Sequence, residues 1–317
     1  MRLDMSNCRG FSAHRHGWGF VIDSIKFLHS SSGVILDDFI ERTFSWDYYK
    51  IFMGNYCHLP YSIPWIGIIH NPPNHPKWFD YENSVDEIFK RPVFQESLRS
   101  CLAIFTLSEY LAEDIRRRVP ETVKVFSVLH PTELDVPQWE PAAFTDHRRV
   151  VQVGYWLRKM EAITRVSRPD YERVWLPSDF DHAMLKCRME ENVRGVHYED
   201  SVRTWAGVKI EKFLSNADYD KIMQSSVILC DLYDASANNA VIESIARSSP
   251  IAVPKLPAVM EYLGKDYPLY IEDDINKCLD VERVFAAHDY LKTMDKTHIS
   301  SKNFIKGFTT CLQSLHC

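Results

Sequence analysis

The sequence lacks three features that would each place it in a particular class of protein. Its eight cysteines form no CxxC pair, whereas a structural zinc site requires closely spaced ligand pairs. No apolar run reaches the roughly 18 residues of a membrane span, and a formal net charge of -6 provides no basic surface for nucleic acid. We therefore expect a cytoplasmic protein with reduced thiols, no metal site, no nucleic-acid partner and no transmembrane segment.

Short apolar segments alternate with helix-like stretches along most of the chain. In a chain of 317 residues, 45% of them hydrophobic, this alternation predicts two successive α/β units, each with a parallel sheet. Ligands of such sheets bind beyond the carboxyl ends of the strands. The clearest strand-like segments are SGVILDD, IPWIGIIH, CLAIFTLS, RRVVQVGYW, SSVILCDLYD and PIAVPK.

Residues 131–147 separate the two predicted units. Their sequence, PTELDVPQWEPAAFTDH, contains three prolines and no clear helical pattern, which is typical of an interdomain linker. We therefore expect a first domain over residues 1–140 and a second over 141–302. The remaining residues, 303–317, have apolar positions at helical spacing and are expected to form a closing helix that packs back on the first domain.

The segment DLYDASANNAVIESIARSSP, residues 231–250, places polar residues between a strand-like run and a helix. An asparagine at the N-cap, Asn238 or Asn239, accepts hydrogen bonds from first-turn amides, and the remaining N–H groups favour an anion such as phosphate. Glu243, expected in the first turn, can accept hydrogen bonds from the vicinal hydroxyls of a ribose. A well-capped structural helix explains the same residues, and the local sequence leaves both interpretations open.

A longer stretch around this segment resembles a known family. The text LCDLYDASANNAVIESIARSSPIAVPKLPAVMEYLG is similar to the nucleotide-sugar-binding region of the retaining GT-B glycosyltransferases that carry an E-x7-E motif. Asn239, Glu243, Ser249–Ile251 and Pro257–Glu261 supply the elements of that region in order. The resemblance implies two Rossmann-like domains that face each other across a cleft.

The match has one departure from the family pattern. Glu243 takes the place of the family's second glutamate, and the resemblance implies that it accepts hydrogen bonds from the ribose of the donor. Eight residues earlier, where the family has its first glutamate, this chain has Ala235, and Asp234 is the adjacent carboxylate. Asp234 is therefore the candidate for the donor-sugar contact, and the stereochemical outcome stays open.

The start of the second predicted unit supports the same resemblance. The text VVQVGYWLRKMEAI, residues 150–163, looks like the strand, glycine turn and helix that open the second domain of these enzymes. Gly154 matches the turn, and Arg158 and Lys159 match the basic pair that neutralises the donor's diphosphate. Cations at this place would stabilise the departing diphosphate as its negative charge develops. Alone, such a basic pair is more often a solvated helix start.

The first domain contributes weaker candidates. Gly17 and Gly19 in AHRHGWGF match the glycine-rich turn whose amides face the donor phosphate. His70 ends the strand-like run IPWIGIIH, and the resemblance places a histidine near there against the donor sugar. Ser108 and Glu109 are expected to cap a helix at the cleft between the domains.

Two further motifs are interpreted as structural. His14 and His16 are expected to be exposed turn residues. Asp179 and Asp181 form a D-x-D pair of the kind that chelates metal in the other main glycosyltransferase fold, but they follow VWLPS inside the second unit. We interpret them as part of a solvated turn and expect no metal, because basic residues and helix dipoles can neutralise the diphosphate.

The sequence thus predicts a GT-B glycosyltransferase that moves a sugar from a nucleotide-diphosphate sugar to a hydroxyl of a glycan or glycoconjugate acceptor. The nucleotide sugar is a co-substrate, and no other cofactor is expected. Two alternatives remain open from the sequence: a nucleotide-sugar epimerase of the same architecture, and a non-catalytic module that binds a nucleotide or a glycan.

Overall fold

The structure is a computed structural model that describes residues 1–9, 17–54, 58–197, 200, 205–212 and 214–315. His14 and His16 lie outside the described residues. The described chain forms two α/β domains, each built on one parallel sheet. The predicted α/β fold class is confirmed.

The five strands of the first sheet stand in the order of the sequence, and neighbouring strands are parallel. The middle strand, WIGII, is buried along its whole length, as expected for a strand that is covered on both faces. The strands are β1 (Leu3–Asp4), β2 (Val34–Asp37), β3 (Trp65–Ile69), β4 (Cys101–Thr106) and β5 (Lys124–Ser127).

Helices cover both faces of the first sheet. One face packs against α1 and the last helix of the chain, and the other packs against α3, α4 and α5. A short π-helix, Arg42–Trp46, precedes α2. The helices of this domain are α1 (Trp18–Ile25), α2 (Tyr48–Met53), α3 (Val85–Lys90), α4 (Pro92–Leu98) and α5 (Glu109–Arg116).

The second sheet is doubly wound. The chain runs outward from β6 through β7 to β8, then returns to β9 on the other side of β6, which gives the order β11-β10-β9-β6-β7-β8. This is the Rossmann strand order, with its reversal between β6 and β9. The strands are β6 (Arg149–Val153), β7 (Glu172–Leu176), β8 (Val208–Ile210), β9 (Val227–Leu229), β10 (Ile251–Pro254) and β11 (Tyr270–Ile271).

The helices of the second half begin inside the predicted linker. The expectation of no helix over residues 131–147 is wrong, because Pro141–Asp146 form α6 and Phe144 is buried in the core of the second domain. Proline suits the first turn of a helix, where its missing N–H is not needed. The later helices are α7 (Phe180–Arg194), α8 (Asn216–Ser225), α9 (Asn239–Arg247), α10 (Pro257–Leu263), α11 (Val281–Thr293) and α12 (Ser301–Ser314).

The last helix, α12, crosses back to the first domain. Its apolar face, with Phe304, Phe308 and Leu312, is buried in the same core as α1. The rings of Phe308 and Phe105 of β4 lie 4.6 Å apart, so the two chain ends help build one domain. In the described part of the chain, no helix combines the length and apolar character required to cross a membrane.

Candidate functional site

The reversal of strand order between β6 and β9 defines the place where a ligand is expected. The connections that leave these two strands turn to opposite sides, and the carboxyl ends of such strands open a crevice. Two loops border it, 154–159 after β6 and 230–238 after β9. They are joined by an isolated bridge between Arg158 and Leu232.

The loop after β6 wraps a glycine around an arginine. Gly154 has φ +74°, and a Cβ atom there would lie 3.0 Å from the guanidinium carbon of Arg158. Two constraints therefore favour glycine at this position: the left-handed backbone conformation and the close approach of the Arg158 side chain. This packing holds Arg158 in place at the mouth of the crevice.

Among the described residues, no carboxylate forms an ion pair with the buried Arg158. The residue is only 8% exposed, and its Nη1 atom donates to the carbonyl oxygen of Trp156 at 2.8 Å. Its Nε atom has no hydrogen-bond partner among the described residues, and none of their carboxylates forms an ion pair with it. An unpaired buried charge is costly, so this site favours an incoming anion.

Arg158 also connects the two loops. Burial raises the pKa of the Cys230 thiol, and the nearby Arg158 charge acts in the opposite direction. The same thiol lies 3.7 Å from Oδ1 of Asn238 and donates to it. The guanidinium, the thiol and the helix cap therefore lie next to one another at the switch point.

Lys159 does not share the environment of Arg158. Its backbone N–H donates to the carbonyl of Asp231 at 2.8 Å, and its Nζ lies 2.9 Å from the Asp231 carboxylate. Arg165 forms a second ion pair with the same carboxylate. The predicted basic pair is therefore split: Arg158 faces the crevice, while Lys159 helps neutralise a buried aspartate.

The second border of the crevice is the amino end of α9. Asn238 is the N-cap, and its Oδ1 accepts from the N–H groups of Ala240 at 3.0 Å and Val241 at 3.4 Å. Asn239 is the first helical residue and is half-buried. The cap thus leaves the Asn239 N–H as the first-turn amide that the Asn238 side chain does not bind.

Glu243 lies one turn further into α9 than the sequence predicts. The expected first-turn position is wrong, because α9 begins at Asn239 and its first turn contains no acidic residue. Glu243 is only 6% exposed, and its carboxylate accepts from the hydroxyl of Tyr219 in α8 at 2.9 Å. Burial and the adjacent carboxylate raise the pKa of Tyr219 well above its ordinary value, so the phenol remains a donor.

Asp234 is engaged between the domains. Its Oδ2 accepts from the backbone N–H of Asn74 and from the hydroxyl of Tyr110, each at 3.0 Å, and its Oδ1 accepts from the Ala235 N–H at 2.8 Å. Burial raises the pKa of Asp234, and these hydrogen bonds act against that rise. The sequence predicts that Asp234 contacts the donor sugar, but both of its carboxylate oxygens already have hydrogen-bond partners in the protein.

His70, at the end of β3, lies in an aromatic pocket of the first domain. Its ring stacks on Phe39 with 3.7 Å between centroids and meets the edge of Trp18 at 4.3 Å. Nε2 lies 3.0 Å from the carbonyl oxygen of Asp38, so Nε2 carries the proton. Burial lowers the pKa of His70 to about 3, which makes Nδ1 a neutral hydrogen-bond acceptor.

The predicted glycine turn is partly helical. Gly17 is the N-cap of α1 with φ −85°, and Gly19 lies inside the first turn of that helix. A turn over Gly17 to Gly19 is therefore wrong, and the backbone there does not need glycine's left-handed freedom. The residue between them, Trp18, is buried and donates its indole N–H to the Asp38 carboxylate at 3.0 Å.

The domains meet through a dense polar and aromatic contact. The carboxylate of Glu261 in α10 accepts from the N–H groups of Glu109 at 2.6 Å and Tyr110 at 2.7 Å, which caps α5 from the other domain. Ser108 accepts from the N–H of Leu111 at 3.3 Å, the cap that the sequence predicts, and also lies 3.2 Å from the Ser236 hydroxyl.

An aromatic segment of the first domain extends this contact. The ring of Phe79 lies 5.2 Å from that of Trp156 in the loop after β6. Beside them, Asp80 forms an ion pair with the buried Lys186 of α7. The segment after β3 therefore reaches the border of the crevice.

Sequence reasoning misses a buried acidic cluster beside His70. Asp37, Asp38, Glu41 and Arg42 are all buried where β2 ends. Burial raises the pKa of Asp38 to about 6 and that of Glu41 to about 7. The signal was the run DDFIER directly after the strand-like VIL, which places charges where a parallel strand ends.

The D-x-D pair has a local structural role. Asp179 caps α7 by accepting from the His182 N–H at 3.1 Å, and Asp181 lies in the first turn, where the helix dipole favours a carboxylate. Both are exposed. Nowhere in the described ranges do three or more His, Cys, Asp or Glu side chains gather as a metal site would require.

Comparison with known proteins establishes the fold. No protein-family model matches the chain, and no curated protein matches it by sequence. Solved structures match with high structural similarity, among them an alpha,alpha-trehalose 6-phosphate synthase from Burkholderia multivorans, with TM-score 0.57 and 12% identity over 94% of this chain and 75% of that one.

Two further neighbours have the same architecture. Sucrose-phosphate synthase from Thermosynechococcus elongatus has TM-score 0.59 and 12% identity over 93% of this chain and 75% of its own. HepE from Anabaena, solved with UDP-glucose, has TM-score 0.58 and 10% identity over 79% and 72%. At such identities the shared property is the fold, so the predicted GT-B architecture of two Rossmann-like domains is confirmed.

Proposed function

We propose that this protein is a glycosyltransferase that moves a sugar from a nucleotide-diphosphate sugar to a hydroxyl of a glycan or glycoconjugate. A uridine-diphosphate sugar is the first donor to consider, since a neighbour of the same fold was solved with UDP-glucose. The buried Arg158 carries the proposal, because it lies at the switch point where α/β folds bind their ligands and has no carboxylate partner among the described residues.

Arg158 suits a diphosphate on chemical grounds. A guanidinium offers several donors in one plane and pairs well with phosphate oxygens, and its free Nε remains to be satisfied. When the bond between sugar and phosphate breaks, negative charge grows on the diphosphate. A fixed buried cation stabilises that charge more strongly than it stabilises the bound donor, which lowers the barrier.

The amino end of α9 supplies the second half of the proposed donor site. The Asn239 N–H and the helix dipole favour a phosphate beside the cap formed by Asn238. Glu243, whose carboxylate accepts from the Tyr219 hydroxyl, would accept hydrogen bonds from ribose hydroxyls. Arg158 and this helix would thus bind the phosphates from two sides, without a metal or another cofactor.

The first domain would contact the sugar itself. His70 presents Nδ1 as an acceptor, and a sugar hydroxyl is a suitable donor. Its low pKa argues against a role as proton acceptor in the reaction. For Asp234 we propose that it holds the two domains together around the donor, since its oxygens bond Asn74, Tyr110 and Ala235.

We place this activity in the cytoplasm. Four of the free cysteines, Cys101, Cys187, Cys230 and Cys278, are buried as thiols. Buried reduced cysteines are typical of a reducing compartment.

Titration calorimetry with nucleotides tests the donor site. UDP, ADP and GDP, each alone and as its glucose conjugate, are titrated into the wild-type protein, Arg158→Gln and Lys159→Gln. We expect one nucleotide series to bind the wild type. Arg158→Gln should weaken its affinity by about 10- to 100-fold, because the lost charge-assisted hydrogen bond contributes about 1.5–3 kcal/mol. Lys159→Gln should retain most of the affinity. Equal affinity of Arg158→Gln and wild type would remove the support for this site.

Product analysis then separates the reactions. The donor that binds is incubated alone and with a panel of glycan acceptors, and products are identified by mass spectrometry and NMR. Sugar transferred to an acceptor supports the proposal. An epimerised donor formed without acceptor identifies an epimerase instead, and binding without turnover identifies a binding module.

A further inference from the structure

His70 is held by a neighbouring acidic residue that does not touch its ring. Oε1 of Glu41 accepts the backbone N–H of His70 at 2.7 Å and that of Asn71 at 2.6 Å. Glu41 is fully buried, so no water competes for these bonds. The carboxyl end of β3 is thereby fixed to the segment after β2.

The same segment also fixes the imidazole. Three residues before Glu41, the carbonyl of Asp38 accepts from Nε2 of His70, and the Asp38 side chain binds Trp18 and Arg42. The backbone N–H and the imidazole ring of His70 are therefore both held by the segment from Asp38 to Glu41. A ring held in this way keeps its proton on Nε2 and its lone pair on Nδ1.

The arrangement is costly to maintain. Oε2 of Glu41 is buried and has no hydrogen-bond partner among the described residues, and burial disfavours the charged carboxylate. The helix that begins directly after Glu41 is a π-helix, Arg42–Trp46, a rare geometry that is frequent at functional sites. A destabilising residue beside a rare backbone geometry points to a functional rather than a purely structural purpose.

We propose that Glu41 is a positioning residue, which acts through His70 on the donor sugar. By fixing the N–H groups of His70 and Asn71, it also sets the start of the segment that carries Asn74, a hydrogen-bond partner of Asp234. Glu41 thus couples the sugar contact to the contact between the domains. This inference rests on the glycosyltransferase function proposed above.

The first test measures His70 directly and needs no substrate. In protein labelled with ¹⁵N-histidine, two-bond proton–nitrogen spectra report which ring nitrogen carries the proton. We expect a single Nε2–H form of His70 in the wild type and in Glu41→Gln, whose amide oxygen can still accept both N–H groups. In Glu41→Ala we expect shifted His70 signals and a loss of the single form. An unchanged His70 spectrum in Glu41→Ala would overturn the inference.

The second test uses turnover of the donor identified above. Glu41→Ala should lower kcat/KM by about 10- to 100-fold, the usual effect of removing a residue that orients a binding group, and Glu41→Gln should restore most of it. Asp114→Ala is the matched control, because Asp114 is also a buried carboxylate of the first domain and its side-chain partners among the described residues are Arg117 and Arg118. Equal kcat/KM for Glu41→Ala and Asp114→Ala would contradict the inference.

The two proposals fail in different ways. If no nucleotide sugar is bound or turned over by the wild type, the proposed function fails, and the histidine spectra still decide whether Glu41 orients His70. If the wild type turns over a donor but neither the spectra nor the kinetics respond to Glu41→Ala, only the role of Glu41 is rejected. Should Glu41→Ala not fold, the comparison of Glu41→Gln with Glu41→Asp replaces it, because the shorter aspartate cannot reach both N–H groups.

Discussion

The Asp234 carboxylate of the second domain lies 3.0 Å from the Tyr110 hydroxyl of the first. Asn74 joins the pair, since its N–H donates to Asp234 and its side-chain amide donates to Tyr110 at 2.6 Å. Next to Ala235, where the sequence resemblance predicts a sugar-contacting glutamate, this chain therefore has a polar contact that joins its two domains.

Removing the Tyr110 hydroxyl should loosen this contact. Tyr110→Phe leaves Asp234 with fewer donors, and losing one hydrogen bond to a buried carboxylate costs about 1–3 kcal/mol. We expect a lower unfolding midpoint and a larger radius of gyration by small-angle X-ray scattering. Tyr81→Phe is the control, because its hydroxyl binds Asp86 within the first domain. Equal radii for the two variants would show that this contact does not hold the domains together.

Replacing Arg158 by methionine should separate stability from binding. An unpaired buried charge destabilises the empty protein, so Arg158→Met should unfold at the same or a higher denaturant concentration than the wild type. The wild type should gain about 2.7 kcal/mol at a nucleotide concentration of about a hundred times Kd, and the variant should gain little. Denaturant titrations with and without nucleotide measure both effects. A variant that is less stable but binds normally would assign Arg158 to the fold alone.

Two of the four positive-φ glycines of the second domain, Gly154 and Gly195, allow a matched comparison. Gly154→Ala and Gly195→Ala both place a side chain at positive φ, which costs about 1 kcal/mol each. At Gly154 the new Cβ would meet the Arg158 guanidinium, whereas at Gly195 no atom of the described residues lies within 4 Å of it. We expect both variants to lose unfolding free energy, and Gly154→Ala to lose more of it because of the additional contact. Weakened nucleotide binding is expected only in Gly154→Ala. Calorimetry on both variants decides this, and equal nucleotide affinities would speak against a role of the glycine in placing Arg158.

The stability of Glu41→Gln relative to wild type should depend on pH. Burial raises the pKa of Glu41 from 4.5 to about 7, so the folded protein holds this proton more tightly than the unfolded chain. The contribution of Glu41 to the unfolding free energy of the wild type is therefore complete below pH 4.5 and is lost as the pH rises to about 7. The loss is roughly 3 kcal/mol, because each tenfold change in proton affinity corresponds to about 1.4 kcal/mol. Glutamine cannot ionise, so Glu41→Gln avoids this loss.

The comparison of the two proteins isolates Glu41 from its neighbours. Asp37, whose charge acts on Glu41, and the N–H groups of His70 and Asn71 that bind it are present in both proteins. Urea unfolding between pH 5 and pH 8 should show the stability difference moving in favour of Glu41→Gln up to about pH 7 and then levelling off. The exposed Glu282→Gln should show no such trend. A difference that does not change with pH would mean that Glu41 stays charged throughout.

Local sequence predicts the elements but not the partners of their side chains. The strand-like run before His70, the glycine turn at Gly154 and the Ser108 cap all occur in the structure. Each depends on interactions between residues a few positions apart, which a pattern can reveal. Residues 131–147 show the limit, since burial of Phe144 stabilises a helix there that no periodicity indicates.

By itself, the sequence determined two successive α/β units with parallel sheets and a capped helix start after β9. Only the tertiary structure decided that Lys159 binds Asp231, that Asp234 binds Tyr110, and that Glu41 holds His70. These pairs are separated by 72, 124 and 29 positions, in a chain with 43 acidic residues that could each have been the partner. The physical reason is that hydrophobic burial along each strand and helix is encoded locally, whereas the choice among equivalent charges depends on which of them the packed sheets bring together.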